Sequence, residues 1–310
     1  MSTTAPRELP ERFYFSGSNC TLSAVDYGNA GKPDVVILHG MRDHALSMTS
    51  IAEALRGRYR VIVADLRGHG DSDNPGSYTM TQFVADLRAL TNHRHLVRPI
   101  LIGHSLGGHI TSRYAAIYAR ETGGLVLIDG MGPPRANESM TLDLQREMWR
   151  NNIENALQLS SERRPLENIE EAMRRLTGNN PGLAQDTARL IVEHGTEPHP
   201  DGGIRWKWDP AINMVWSTFS HDESELQWGL IECPVLIVTG DESMQYWSRR
   251  NLGDTQIEGI LARETTRRLG LFRDARHVVI EGAGHMVHYD QPGALNACIG
   301  SFLDDIGAGE

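Results

Sequence analysis

With 310 residues, 40% of them hydrophobic and 23% charged, the chain has the size and make-up of a globular protein able to bury a full α/β core and still carry an insertion. Its net charge of -10 argues against a nucleic-acid partner, because no basic stripe could outweigh that field over a long surface. Cys20, Cys233 and Cys298 lie far apart without C-x-x-C pairing, Met1 to Arg12 lacks the apolar core of a signal peptide, and no apolar run reaches membrane-span length, so a reduced, cytoplasmic setting away from the membrane is expected.

Taken in order, Arg12–Phe15 and Thr21–Tyr27 read as short strands, followed by a turn at Gly28–Gly31. Asp34–His39 is an almost continuous apolar run ending at Gly40, as a strand covered on both faces should be. Ile51–Arg56 belongs to a helix, Tyr59–Asp65 is another buried strand, and the loop Leu66–Asp73 follows, with Asp71 and Asp73 as turn residues. Thr79–Thr91 reads as a helix capped by Thr79 or Thr81. His93-Arg94-His95 at its end has no carboxylate or cysteine at ligand spacing, so no metal is expected there.

Next come Ile100-Leu101-Ile102, a buried strand, and Ile110–Arg120, a helical pattern, joined through Gly103-His104-Ser105-Leu106-Gly107-Gly108. A strand that turns back into a helix within so few residues needs glycine wherever a Cβ would collide, and Gly103 and Gly107 flank Ser105 symmetrically. The G-x-S-x-G spacing is that of a nucleophile elbow, which presents the serine Oγ at the carboxyl edge of a sheet and beside a helix N-terminus. Negative charge forming there would meet free N–H groups and the positive end of the helix dipole.

Gly124–Asp129 is a further strand, and the alternation up to that point implies a parallel sheet with helices on both faces. After Gly130-Met131-Gly132-Pro133-Pro134 the character changes. Met140–Leu157, Glu167–Leu176 and Ala184–His194 read as helices, Glu197–Asp209 as an irregular segment, and Trp149, Trp206, Trp208, Trp216 and Trp228 all fall in or beside this block. Most of these tryptophans should pack the insertion, with one or two lining an apolar pocket. The strand pattern resumes at Cys233–Gly240 and His277–Glu281, and Gln291–Ile306 closes the chain as a helix. Core segments at 1–130 and 231–310, with a helical cap at 131–230 over the sheet's carboxyl edge, are the expected organisation.

Four motifs in this order, His39-Gly40, Asp65-Leu66-Arg67-Gly68-His69-Gly70-Asp71-Ser72, Gly103-His104-Ser105-Leu106-Gly107-Gly108 and Gly282-Ala283-Gly284-His285, resemble those of the α/β-hydrolases with a helical cap. The resemblance covers the core and says little of the cap. It implies the α/β-hydrolase fold: a mostly parallel central sheet flanked by helices, with an inserted cap domain. It also implies Ser105 as nucleophile, His285 as the base that activates it, and the backbone N–H groups of Met41 and Leu106 as an oxyanion hole. His288 is expected to pack or to line the rim.

In the common pattern of the family the acid stands three residues after the glycine ending the penultimate strand, and here that position is Ser243. Three carboxylates remain in view: Asp129, at the tip of the strand after the elbow, where haloalkane dehalogenases and a related luciferase place theirs, and Asp241 or Glu242 beside the usual position. A serine at 105 excludes dehalogenase and epoxide hydrolase chemistry of the usual kind, which needs an aspartate there. The resemblance implies a cofactor-free serine esterase acting on small to medium apolar carboxylic esters. C–C bond hydrolysis, lactone hydrolysis or perhydrolysis by the same triad is the second reading, and a hydrolase-fold protein that binds a ligand without turning it over is the third. Homo-oligomerisation is left open.

Overall fold

A computed structural model describes residues 10–133, 142–158, 165–243 and 257–308. Eight strands form the central sheet: β1 (Glu11–Ser16), β2 (Thr21–Asp26), β3 (Asp34–Leu38), β4 (Arg60–Ala64), β5 (Ile100–His104), β6 (Gly124–Ile128), β9 (Val235–Gly240) and β10 (Ala275–Ile280). Their order across the sheet is β1-β2-β4-β3-β5-β6-β9-β10. Strand β2 runs antiparallel to β1 and β4, and the other neighbouring pairs are parallel.

Strand side chains alternate between faces, and the chain fills both with apolar residues. Val36, Leu38, Ile62, Leu101, Leu125 and Leu127 pack on one side with Phe83, Leu87 and Leu90 of α2 (Met80–His93) and Ile110 and Tyr114 of α3 (Leu106–Ile117). Val35, Ile37, Val61, Val63, Ile102 and Val126 pack on the other with Ile51 and Leu55 of α1 (Thr49–Leu55) and Leu295, Ile299 and Phe302 of the closing helix, α10 (Pro292–Asp305). Thr79 caps α2 with a full capping box, its hydroxyl on the Gln82 N–H and the Gln82 side chain on the Thr79 N–H. His93 stacks on Phe13 and Phe15, and Arg94 pairs with Asp26, so the histidine-rich helix end serves packing.

Between β6 and β9 the chain inserts a helical region: α4 (Leu142–Gln158), α5 (Ile169–Asn179), α6 (Gln185–Gly195) and α7 (His221–Trp228). The stretch expected to be irregular instead carries a small antiparallel hairpin, β7 (Thr196–Pro198) with β8 (Ile204–Trp206). Three-residue strands are too short for an alternating pattern to show. Helix α6 is fixed to the core where His44 Nε2 meets the Ile191 carbonyl at 2.9 Å and where Leu183, Ala188 and Ile191 pack on Tyr289. The hairpin's exit is fixed by Lys207 Nζ on Asp71 Oδ1 at 2.6 Å and Tyr78 Oη on Asp209 Oδ2 at 2.6 Å. Past the hairpin, Ile212, Val215 and Trp228 join the main core. Helix α8 (Ile257–Leu269) precedes β10, and a single turn, α9 (Val287–Asp290), precedes α10. Among the described residues no helix is long and apolar enough to cross a membrane.

Candidate active site

The carboxyl ends of β3, β5, β6 and β10 converge, and each delivers one candidate residue. Ser105, directly after β5, has φ 50° and ψ -114°, a strained conformation for a residue with a side chain, of the kind that costs roughly 1–3 kcal/mol. Packing enforces it. A Cβ on Gly103 would lie 2.4 Å from the Gly107 carbonyl carbon, and one on Gly107 would lie 2.3 Å from the Leu38 carbonyl oxygen on the neighbouring strand. Helix and strand therefore approach as closely as backbones permit, with the serine at the apex.

His285 joins the other two candidates. Its Nε2 stands 3.0 Å from Ser105 Oγ, and its Nδ1 is hydrogen-bonded to Asp129 Oδ2. With the carboxylate accepting from Nδ1–H, Nε2 is left as an acceptor for the serine hydroxyl. Asp129 and His285 are 6% and 8% exposed, so water screens this pair little. Asp129 reaches the imidazole from the sharp turn ending β6, where its φ is 42° and its N–H donates to the Val238 carbonyl at 2.8 Å.

The two alternative carboxylates lie elsewhere. Asp241 is exposed and accepts the Ala283 N–H at 3.2 Å; Glu242 is also exposed, at the cavity rim. Ser243 is fully buried, with Oγ accepting from the Gly240 N–H at 2.9 Å and donating to the Gly284 carbonyl at 3.1 Å. It thus braces the backbone just before His285.

The loop after β3 lies on the serine: a Cβ at Gly40 would come within 3.3 Å of Ser105 Cβ. His39 accepts the Leu66 N–H at Nε2, 3.0 Å, so its Nδ1–H donates to the Gly40 carbonyl at 2.7 Å. Burial lowers the His39 pKa and keeps the ring neutral for that arrangement. In a trans peptide C=O and N–H point in opposite directions, so holding the Gly40 carbonyl on His39 aims the Met41 N–H the other way. Leu106 opens α3, and its N–H belongs to the first turn, which has no intrahelical acceptor.

A cavity of about 990 Å³ opens over Ser105 and His285. Trp206 and Trp208 line it, as does Met41; Trp228 stacks on Phe272 and Trp216 meets His109 edge to face instead, and Trp149 is exposed. The lining is more polar than the tryptophan-rich sequence suggests: Arg42, Asn179, Asn180 and Lys207 all reach it, and the Arg42 guanidinium lies 5.0 Å from the Trp208 ring centre. Sequence reasoning also missed Asp43 and Tyr289. Both are buried and joined by a 2.8 Å hydrogen bond across 246 residues of chain, and nothing local in the sequence signals that pairing. Among the described residues no group of His, Cys, Asp or Glu is arranged to hold a metal ion.

Residues 35–297 match the alpha/beta hydrolase family, spanning both sheet halves and the insertion. The chain belongs to that family. Among alpha/beta hydrolases and their relatives, a serine hydrolase-like protein of Mus musculus is 26% identical over 289 residues, covering 90% of this chain and 91% of that protein. The 2-(acetamidomethylene)succinate hydrolase of Mesorhizobium japonicum is 26% identical over 285 residues, 92% of each. A solved thioesterase domain from the curacin biosynthetic pathway shares the fold with a TM-score of 0.78 at 22% identity, covering 95% of this chain and all of that one.

Proposed function

We propose that this alpha/beta hydrolase cleaves small to medium carboxylic esters through an acyl-enzyme on Ser105. The observation that carries the reading is the position of His285, with Ser105 Oγ 3.0 Å from one ring nitrogen and the Asp129 carboxylate bonded to the other. Ser105 Oγ attacks the ester carbonyl as His285 Nε2 takes its proton. The imidazolium that forms is stabilised by Asp129 and returns the proton to the departing alcohol. The Met41 and Leu106 N–H groups receive the tetrahedral oxyanion, supplying charge stabilisation only when the charge appears. Water activated by His285 then releases the acid. The acyl chain lies against apolar lining such as Met41, Ile191 and Trp208, and polar substituents face Arg42, Asn179 and Lys207.

Hydrolysis of an aryl acetate tests this directly. Ser105→Ala should lose on the order of 10⁶-fold in kcat. Turnover in that variant comparable to wild type would end the nucleophile assignment.

The polar lining favours a second reading, in which the same three residues hydrolyse a bond other than an ester in a more polar substrate. The Mesorhizobium japonicum relative, whose name gives 2-(acetamidomethylene)succinate as its substrate, supports that direction. A substrate panel containing esters, lactones and 2-(acetamidomethylene)succinate separates the two by their relative kcat/KM.

A further inference from the structure

We infer that Asp43 and Tyr289 are positioning residues that clamp the oxyanion loop to the His285 turn; the inference rests on the hydrolytic role proposed for Ser105 and His285. Asp43 lies two residues beyond Met41, and Tyr289 lies four beyond His285 on the single turn α9. Tyr289 Oη donates to Asp43 Oδ2 at 2.8 Å, while Asp43 Oδ1 accepts the His44 N–H at 2.9 Å. The two residues are 7% and 5% exposed. The tie therefore runs through the interior, from the segment that presents the oxyanion N–H to the segment that presents the base.

A second contact points the same way. His104, immediately before the nucleophile, donates Nε2–H to the carbonyl of His285 at 2.9 Å. His288 fills the space between, its ring centre 4.5 Å from that of His104 and its Nε2 3.7 Å from Asp43 Oδ2, an ion-pair rather than a hydrogen-bond distance. Serine, base and oxyanion loop are thus linked by side chains that are not themselves placed on the reacting atoms. Burial would push the Asp43 carboxyl up, but His288 and His44 beside it hold it below the usual carboxylate range. Burial and the Asp43 charge together raise the Tyr289 phenol well above its ordinary range, so it remains a donor. A buried carboxylate is costly unless its neighbours satisfy it, and here the neighbours that do so belong to the two segments whose relative position decides the reaction geometry.

Tyr289→Phe removes the donor and leaves the ring. Active sites are counted by fluorophosphonate labelling of Ser105, so kcat is expressed per competent serine and misfolded protein does not enter. The clamp predicts a fall of ~10- to 100-fold in kcat per labelled site, with KM for an aryl acetate within about threefold of wild type. The Ki of an aryl boronic acid, whose serine adduct mimics the tetrahedral intermediate, should rise by the same factor as kcat/KM falls. A kcat per labelled site within twofold of wild type, with boronate affinity unchanged, overturns the inference and leaves the hydrolytic reading standing. If Tyr289→Phe does not fold, Asp43→Asn decides by the same readouts, since it fills the same space and still accepts from His44. Wild-type protein that does not label at Ser105 would overturn the hydrolytic reading and the clamp together.

Discussion

Replacing Asp129 with asparagine keeps the shape of the side chain and removes its charge, which isolates what the carboxylate does for His285. In the proposed reaction the ring becomes cationic as Ser105 gives up its proton, beside a carboxylate that is 6% exposed. Two unit charges about 4 Å apart at an effective dielectric constant of about 20 attract by ~4 kcal/mol. At about 1.4 kcal/mol per decade that amounts to roughly 10³-fold in kcat. If the new amide turns its NH₂ toward Nδ1, the proton must sit on Nε2, the ring can no longer accept from Ser105, and the loss deepens to ~10⁴-fold. The assay is aryl acetate hydrolysis, with a thermal melt to show that the variant folds. Asp241→Asn and Glu242→Gln, exposed and off the imidazole, should stay within about twofold of wild type. An Asp129→Asn enzyme within tenfold of wild type, or a collapse of activity in either control, would refute the reasoning.

Buried neutral histidines make the fold sensitive to mild acid. Burial lowers the pKa values of His39, His104 and His109 and takes that of His69 down to about 3. Below about 6.5 the unfolded chain binds protons that these rings refuse in the folded state, so stability is full above that pH and declines beneath it, for His69 until the pH reaches about 3. Each ring contributes up to about 1.4 kcal/mol per pH unit within its window. Urea melts should show clearly lower stability at pH 5 than at pH 7, and equal midpoints would contradict this burial account. Gly107→Ala drives a methyl to 2.3 Å from the Leu38 carbonyl, an atom of the central sheet that has no room to yield, and should destabilise by about 3 kcal/mol or more. Gly300→Ala, inside α10 with no heavy atom within 4 Å of the new Cβ, should stabilise by roughly 0.5–1 kcal/mol, and denaturant titration compares the two.

How much of this is legible in the sequence depends on the range over which each feature is encoded. Val35–Leu38 and Ile100–Ile102 announce buried strands because both faces are covered, so no polar residue interrupts them. The elbow is legible because its glycines are required by collisions within a few residues of Ser105. The carboxylate facing His285 is not, since Asp129, Asp241 and Glu242 all follow strands that end at the same edge. Which of them meets the imidazole depends on how the turns after β6 and β10 approach each other across β9. The hairpin at Thr196–Trp206 escapes for want of length, and the Asp43–Tyr289 tie because its partners are local to neither segment.

Asp129 and Ser105 sit at the tips of adjacent strands whose register is fixed by the ladder from Ile100–Gly124 to His104–Ile128. The distance between those two tips is therefore set by main-chain pairing between two interior strands of the sheet. The bend after β9, where Ser243 only braces its neighbours, is relieved of supplying a charge. A new recognition segment could be grafted beyond Ser243 with its brace on Gly240 and Gly284 kept, while Asp129 and Ser105 stay anchored in the sheet.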